Sequence, residues 1–516
     1  MKKYNWAGWG DLNGFFALML DNVTVMVFMT TILVAVFHFP EEFIYKHMIP
    51  GTAFGVLVGD LIYTWMAFRL FKKTGHTEIT AMPLGLDTPS TIGITFAVLG
   101  PTYLASKDPY ITWYVGMATL FFIGLLKILL VPFAGWIREK VPQAGLLGSL
   151  AGIGLCLLGF IPLLEVFALP LVGIIALGVI LYALVAKLRL PWRSPAVLAS
   201  VLIGTLIYYI LGSKGILGTV CEPFSFKFYF ALPLPNMGMF KGMAEALKFL
   251  PIAIPFGILT VVGGINVTES ARVAGDEYKT GEIIFVEAFS SLIAAFCGGV
   301  AQTTPYIGHP AYKEMGSKAA YTLATGLFVG IGGMLGFISF FVDIIPKAAL
   351  APILIFVGLD IMSQAFLACP KKHAPAVAFA IFPIMADLLL IKWSEILSDL
   401  KIEAAQMSAA LQHQYQTVQA LGHGFILTAM LWGAILALII DRRLRTAILY
   451  LAITALFTFF GVIHSVKPSG DVYLPWQTGS GIPYSFAIGY LMIALLLLIG
   501  IFSKADKDPV PKELEA

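Results

Sequence analysis

The chain has 516 residues, of which 59% are apolar and only 12% are charged, whereas a soluble domain carries about 25% charged residues. This composition excludes a water-soluble globular protein, and the net charge of +3 provides no basic footprint for binding nucleic acid. Apolar stretches long enough to cross a bilayer recur from Phe15 to Phe502, which predicts an all-α polytopic membrane protein.

Sixteen apolar segments follow one another along the chain. They cover residues 14–37, 48–71, 81–100, 110–133, 143–163, 166–186, 195–212, 249–270, 283–301, 303–317, 319–341, 348–368, 373–391, 423–441, 446–464 and 482–502. If the N-terminus is inside, Lys and Arg occur about twice as often on the inner side as on the outer side. The pattern predicts a multi-pass protein of the cell inner (plasma) membrane with both termini cytoplasmic.

A long connection divides these segments into two halves. We expect residues 1–213 to form a first repeat of seven spans, 214–248 an external linker, and 249–441 a second repeat of seven spans. Because seven is odd, the second repeat starts on the opposite side of the membrane, so the repeat is inverted. Residues 442–516 would add a helical hairpin and a cytoplasmic tail. Within the second repeat, residues 392–421 have the spacing of an amphipathic external insertion.

Charged side chains inside spans are site hypotheses, because a charge at bilayer depth is costly and usually faces a cavity or a partner. Seven acids and one base lie away from span ends, and this excess of acids indicates a cation or a coupling proton. For Asp60 and Asp387, pairing with a neighbouring backbone is an equal alternative. The eight residues are Asp21, Asp60, Asp87, Lys127, Glu269, Glu287, Asp360 and Asp387.

The third segment of the first half cannot form one continuous helix. Pro83 and Pro89 each remove a backbone donor and disfavour a helical conformation in the residue before them. The freed backbone groups must meet a ligand, water or another segment. Asp87 and Thr88, between the prolines, are therefore candidate substrate-binding residues, although an interfacial loop is the alternative interpretation.

The third segment of the second half has the same character. Pro305 and Pro310 interrupt it, and a helix that starts near Pro310 would direct its positive N-terminal end at the break. The polar and aromatic side chains around the break suit a planar heterocycle, and a purely structural role for His309 remains open. They are Gln302, Thr303, Thr304, Tyr306 and His309.

Glu269 is a further candidate in the first span of the second half, close to Asn266. With Pro255 as the first helical residue, Glu269 lies about 21 Å along the helix, deeper than the interface. The competing interpretation is an ion pair with Arg272, three residues later.

Four stretches resemble the xanthine/uracil permease superfamily, also called nucleobase/ascorbate transporters, and in particular its hypoxanthine/adenine/guanine permease branch. Glu287, in Val286-Glu287-Ala288-Phe289, stands where the family has an acid opening the ninth span, and Thr303-Thr304 follows at a similar separation. Ala351-Pro352-Ile353-Leu354-Ile355-Phe356-Val357-Gly358 looks like the opening of the branch's twelfth span, and Asp21-Asn22 is similar to the family's first span.

The resemblance implies a seven-plus-seven inverted-repeat transporter fold with core and gate domains. It also implies that substrate lies between the broken third and tenth spans and is held by polar residues of the eighth and tenth. Two positions depart from the family. Its tenth-span binding residue falls near Ile307, so that His309 would have to replace it, and its eighth-span acid maps to Glu269 or to Asn266.

We therefore predict a secondary active permease for a small polar solute, a purine-, xanthine- or uracil-type nucleobase, coupled to protons or sodium. The alternative is an anion or organic-acid carrier on the same scaffold. Enzyme motifs are absent from the sequence, and we expect no cofactor and no metal site. A homodimer is compatible with the sequence. The predicted substrate ligands are Glu269, Asn266, Thr303, Thr304, Tyr306, His309, Asp87 and Thr88, and the predicted coupling or relay residues are Asp21, Glu287 and Asn22.

Overall fold

The computed structural model describes residues 4–133, 142–191, 194, 196–218, 228–306, 308–400, 406–467, 470, 472–478 and 481–503, and these residues are mostly helical. The first half contains α1 (Trp9–Ala35), α2 (Ile49–Thr74), β1 (Leu84–Leu86), α3 (Thr88–Ile94), α4 (Gly100–Ser106), α5 (Pro109–Leu130), α6 (Gln143–Ile153), α7 (Ile161–Ala168), α8 (Pro170–Ile180) and α9 (Ala196–Gly212). Short π-helical turns connect α3 to α4 and α6 to α7.

The second half has three helices, a strand and then further helices. It contains α10 (Met239–Ala246), α11 (Leu250–Val273), α12 (Thr280–Phe296), β2 (Thr303–Pro305), α13 (His309–Glu314), α14 (Ala320–Leu335), α15 (Phe337–Ile344), α16 (Lys347–Ala368), α17 (Ala374–Phe379), α18 (Phe382–Leu400), α19 (Ala409–Gly422), α20 (Phe425–Ile440), α21 (Leu444–Phe459) and α22 (Ile482–Phe502).

The predicted membrane segments coincide with these elements. Among the residues that can be described, eight helices are long and apolar enough to cross a membrane, and the pair α19 and α20, bent by 69°, would make a ninth. The other predicted segments are shorter helices, such as α8, α9, α14 and α21, or the two breaks. The predicted fold class, an all-α polytopic protein with discontinuous third and tenth segments, is confirmed.

The two breaks pair with each other as a short antiparallel ladder. Leu84 lies opposite Pro305, and Leu86 lies opposite Thr303. An inverted repeat brings its two halves together with opposite chain directions, so antiparallel pairing of equivalent segments is the arrangement expected from it. The ladder is buried throughout, which removes six residues of irregular backbone from lipid.

Two compact units make up the chain, and each has its own core. The first comprises residues 1–134 and 160–356 and contains both strands. In it, α2 packs closely on α14 through small residues: a Cβ at Gly330 would lie 2.6 Å from the Cβ of Leu57, and one at Gly333 would lie 2.3 Å from that of Ala53.

The second unit comprises residues 135–159 and 357–516. Its core includes Ala151 on α6, Ala365 on α16 and Ala437 on α20, which are almost completely buried. The terminal hairpin of α21 and α22 packs on α20 in the same unit, where Leu451 and Ala494 meet Leu431.

One local expectation was wrong. The helix that carries Glu269 begins at Leu250 with Pro251 in its first turn, and Pro255 lies inside it. Proline is tolerated in the first turn because those backbone donors have no helical acceptor, and Pro251 meets this condition earlier than Pro255. In the region 392–421, α18 continues through Lys392 to Leu400 and α19 follows at Ala409, and the external position of this insertion stays a prediction.

Candidate functional site

The backbone groups that the prolines free are largely taken up by the opposite break. The N–H of Tyr306 donates to the carbonyl of Pro83 at 2.9 Å, and the N–H of Asp87 donates to the carbonyl of Gln302 at 2.9 Å. Residues that precede proline favour an extended backbone, and Thr304, which precedes Pro305, lies in β2. The freed backbone groups could have met a ligand, water or another chain segment, and the structure shows another chain segment.

Asn22 supports the outer edge of β1. Its Oδ1 accepts the N–H of Leu86 at 2.8 Å, and its Nδ2 donates to the carbonyl of Leu18 at 2.8 Å. The side chain is completely buried. This geometry makes Asn22 a brace that fixes the broken segment to α1.

Asp87 ends β1 and caps the following helix. Its Oδ2 accepts the N–H of Ser90 at 3.0 Å, which satisfies a free donor at the start of α3. Nε2 of Gln302 donates to the same oxygen at 3.2 Å and to Oγ of Ser90 at 2.6 Å. Asp87 is partly exposed, so its carboxylate keeps acceptor capacity at the break.

A buried ion pair lies behind β2. Nζ of Lys127 on α5 is 2.6 Å from Oε1 of Glu287 on α12, and both side chains are 0% exposed. Lys127 also donates to the carbonyl of Thr303 at 3.3 Å. The other carboxylate oxygen, Oε2 of Glu287, has no hydrogen-bond partner within the described part of the chain and faces Gly264, where a Cβ would lie 3.2 Å away.

The hydroxyl of Thr303 closes this arrangement. Oγ1 of Thr303 lies 2.6 Å from Oγ of Ser290 and 3.1 Å from Oγ of Ser291, and all three residues are completely buried. Since these hydroxyls are satisfied internally, Thr303 holds β2 on α12. Its neighbour Thr304 is also buried, with 8% exposure.

Tyr306 lies across the ladder. Its hydroxyl donates to the carbonyl of Leu86 at 3.1 Å, and a Cβ at Gly85 would lie 2.4 Å from its ring, so the ring requires glycine at that position. The carboxylate of Asp21 on α1 lies beside the Tyr306 hydroxyl. Tyr306 and Asp21 are both partly exposed. Together with Asp87, they form the open part of the site.

His309 is drawn to a different cluster. Its Nε2 lies 2.9 Å from Oδ2 of Asp276, and Nζ of Lys313 lies 2.8 Å from Oδ1 of the same carboxylate. His309 and Asp276 are almost fully buried. Asp276 also accepts the N–H of Thr80 at 3.2 Å, so the cluster links the end of α11, the start of α13 and the chain before β1.

Glu269 and Asn266 lie on α11 in partly buried positions. Oε2 of Glu269 is 2.5 Å from the guanidinium of Arg272, and these side chains are 36% and 62% exposed. The ion pair considered from the sequence is thus present. The substrate-binding roles of Glu269 and Asn266 stay predictions, while Thr88 is buried at the first position of α3.

Sequence reasoning missed Asp276 because the residue lies in a loop, where a carboxylate has no local signal of burial. Lys127 was identified as the lone base within a span, but its partner is 160 positions away and follows no motif. Ile307, where the family's tenth-span binding residue falls, lies outside the described residues.

The resulting site has a carboxylate, an aromatic ring and amide and hydroxyl groups at the junction of two broken segments. The carboxylate of Asp87 lies at the N-terminus of α3 and offsets the partial positive charge of that helix end. This helix end therefore attracts an anion less. Acceptors and a ring face are suited to a neutral planar solute that carries N–H donors.

Known proteins are similar to this chain over parts of it. No family model matches the chain. Adenine permease AdeP of Escherichia coli (strain K12) is 27% identical over 275 residues, which are 49% of this chain and 59% of that protein. The match therefore spans about three fifths of the length of this curated relative.

Two solved structures are similar to it at low sequence identity. The transmembrane domain of the cyanobacterial bicarbonate transporter BicA is 17% identical, with a TM-score of 0.49 over 75% of this chain and 96% of that one. The murine anion transporter Slc26a9 in its inward-facing state is 12% identical, with a TM-score of 0.49 over 77% of this chain and 69% of that one.

Proposed function

Because the chain is a relative of the xanthine/uracil permeases, we propose that it is a secondary active transporter of a neutral, planar, nucleobase-type solute coupled to protons or sodium. The observation that carries the proposal is the paired break itself. It places a partly exposed carboxylate and a partly exposed aromatic ring at the junction of two discontinuous membrane segments.

Each open side chain has a role in this proposal. Asp87 accepts N–H groups from the solute, and the ring of Tyr306 packs on its face. Asp21 lies beside the Tyr306 hydroxyl and relays the coupling ion between α1 and the break. Thr304, Asn266 and Glu269 are further contacts, and Glu269 has to leave Arg272 to make one.

The remaining predicted residues support the site and do not contact the solute in this proposal. Thr303 and Glu287 support β2, Asn22 and Thr88 support β1 and α3, and His309 supports the start of α13 through Asp276. Mutations at these positions would therefore alter the shape of the site rather than remove a direct contact.

Ligand-dependent thermal unfolding tests the proposal. A solute that binds the native state raises the melting temperature of purified protein. We expect adenine, hypoxanthine or uracil to raise it, and Asp87→Asn and Tyr306→Leu to remove the increase. Glu245→Gln, at an exposed surface acid on α10, is the matched control. Absence of a shift with every nucleobase would reject this substrate class.

An anion or organic-acid carrier is the second candidate. The same screen with bicarbonate, sulfate and organic acids separates the candidates, because only one class should raise the melting temperature.

We also propose that the protein lies in the cell inner membrane with both termini cytoplasmic. Inner-side enrichment of Lys and Arg supports this orientation. Association as a homodimer belongs to the proposal and is tested by the mass of the purified protein–detergent complex.

A further inference from the structure

Among the described residues of the first unit, one buried carboxylate has neither a counter-charge nor a hydrogen-bond partner. Asp60 lies midway along α2 and is 0% exposed. Within the residues that can be described, neither Oδ1 nor Oδ2 has a hydrogen-bond partner. The other buried acids of this unit differ, since Asp11 accepts the N–H of Tyr321, Glu287 is paired with Lys127 and Asp276 with Lys313.

Packing leaves little free space around Asp60. A Cβ at Gly326 on α14 would lie 2.6 Å from the Cβ of Asp60 and 3.3 Å from its Oδ2. On the other side, Gly59 brings α2 close to Leu84, whose side chain would lie 2.6 Å from a Cβ at that position. The carboxylate is therefore enclosed between α14 and β1.

Three tyrosines interact electrostatically with Asp60. They are Tyr63 on α2 itself, Tyr312 on α13 and Tyr321 on α14. Strand β1 contributes only backbone: the N–H of Leu84 faces the carboxylate, outside hydrogen-bonding geometry. Among the described residues, no Lys, Arg or His forms an ion pair with Asp60.

An isolated carboxylate at this depth is far less stable than the neutral acid. Transfer of an unpaired charge into a low-dielectric interior costs many kcal/mol, whereas a neutral polar group costs only a few. The acid therefore holds a proton when it is enclosed in this way. The packing favours a proton over sodium, which needs several oxygen ligands around it.

The position of Asp60 connects its protonation to the break. On the same edge of β1, Asn22 accepts the N–H of Leu86 at 2.8 Å. Asp60 is opposite the next available donor, the N–H of Leu84. An ionised Asp60 would attract that donor strongly and a neutral one weakly, so gain or loss of the proton changes the force on β1.

We propose that Asp60 binds the coupling proton of this transporter, at a site separate from the solute contacts at Asp87 and Tyr306. This proposal rests on the proposed transport function for its role, but not for the protonation itself. The step is a simple acid–base equilibrium: the carboxylate takes one proton from water on one side and releases it to water on the other.

Infrared spectroscopy tests the protonation without any solute. At neutral pH, purified wild-type protein should show a carboxylic acid C=O band that Asp60→Asn removes and that Asp387→Asn leaves in place. Asp387 is a matched control, a partly buried acid of the second unit with an unpartnered oxygen. A wild-type minus Asp60→Asn difference spectrum without a carboxylic acid C=O band would overturn the proposal.

Transport in proteoliposomes tests the coupling, with radiolabelled adenine as the probe. Asp60→Asn should retain adenine counterflow within about twofold of wild type, but should lose accumulation driven by a pH gradient and adenine-dependent proton movement. Replacement of sodium by choline should have no effect on the wild type. Normal proton-driven accumulation by Asp60→Asn, or a sodium requirement in the wild type, would overturn the assignment.

The outcomes separate the two proposals. If adenine and the other nucleobases neither bind nor move, the proposed function fails, while the infrared result still decides the protonation of Asp60. Because the native side chain is inferred to be neutral, neutral replacements should be tolerated, and Asp60→Thr is a second variant. Failure of both variants to fold would contradict a neutral Asp60.

Discussion

At the scale of single residues, the site depends on how each buried polar group finds a partner. Asn22 and Thr303 have theirs and are completely enclosed, whereas Asp87 and Tyr306 stay partly open. Residues that look equivalent in the sequence thus differ in burial: the buried ones hold the broken segments in place, and the partly exposed ones are candidate solute contacts. The Lys127–Glu287 pair belongs to the braces, since it fixes β2 from behind.

Breaking this pair should be much more costly than removing it. Lys127→Met and Glu287→Gln each leave one uncompensated buried group, and we expect each to lower the free energy of unfolding by about 3–5 kcal/mol. The double variant leaves neither charge and should be closer to wild type than the sum of the two. Denaturant unfolding in detergent measures all four proteins, and additive losses would show that the pair is not coupled.

Gly85 offers a residue-scale test of the break. In Gly85→Ala the new Cβ would meet the Tyr306 ring at 2.4 Å, so the ring must leave its position. We expect at least a tenfold loss of nucleobase affinity, about 1.4 kcal/mol, by isothermal calorimetry. Gly263→Ala on α11 is the control, because a Cβ there meets nothing within 4 Å. Equal affinity in the two variants would argue against a role for Tyr306.

At the scale of elements, a series of side-chain hydrogen bonds holds the terminal hairpin. Nε1 of Trp432 on α20 donates to the hydroxyl of Tyr490 on α22 at 2.8 Å, and that hydroxyl lies 2.7 Å from Nε2 of His464. Nδ1 of His464 donates to the carbonyl of Ala420 at 2.9 Å, so Nε2 accepts from Tyr490. These hydrogen bonds join α22 to α20 within the second unit.

Removal of the Tyr490 hydroxyl should loosen the hairpin. Tyr490→Phe leaves the Trp432 donor and the His464 acceptor without partners, which costs about 1–3 kcal/mol. The melting temperature should fall, and limited proteolysis after Phe459 should become faster. Tyr484→Phe on the same helix is the control, and equal behaviour of the two variants would exclude the hydrogen-bonded chain as the cause.

Asp441, just after α20, provides a pH-dependent link within the same unit. Burial raises the pKa of its carboxyl, but hydrogen bonds from Lys372 and His373, both at 2.8 Å, outweigh burial and hold the pKa below its ordinary value. A carboxyl with a lowered folded-state pKa stabilises the fold above its unfolded pKa of about 3.9, and this contribution disappears as the pH falls through the folded value.

Asp441→Asn should therefore melt at a lower temperature than wild type at pH 7. The difference should shrink as the pH is lowered below about 4, because the wild-type carboxyl is then protonated as well. Melting curves of both proteins from pH 7 to pH 3 measure this convergence. A constant difference across the range would mean that the ion pairs do not cause the stability change.

At the scale of the whole molecule, the inverted repeat predicts on which side of the membrane each loop lies. If both termini are cytoplasmic, Lys214 lies outside and Lys72 lies inside. After Cys221 is replaced, Lys214→Cys should react with an impermeant maleimide in intact cells, and Lys72→Cys only in permeabilised cells. Cys156, Cys297 and Cys369 are buried and should contribute little background. Labelling of both positions from outside would contradict the odd number of spans in the first repeat.

Much of the architecture follows from the sequence because its causes are local. The apolar composition requires helices whose backbone groups are satisfied internally, and the proline pairs at residues 83 and 89 and at 305 and 310 interrupt two of them wherever the chain lies. Each constraint acts within a few residues, so it can be read without knowledge of the rest of the molecule.

Only the tertiary structure decided which polar groups meet. The pairing of β1 with β2, of Lys127 with Glu287 and of His309 with Asp276 depends on residues far apart in the chain. The same is true of Asp60, which has no counter-charge among the described residues. Such contacts arise when helices pack through glycine positions such as Gly264 and Gly326, and packing depends on the shape of the whole unit. Local patterns locate the breaks, but only packing determines the partner of each buried charge.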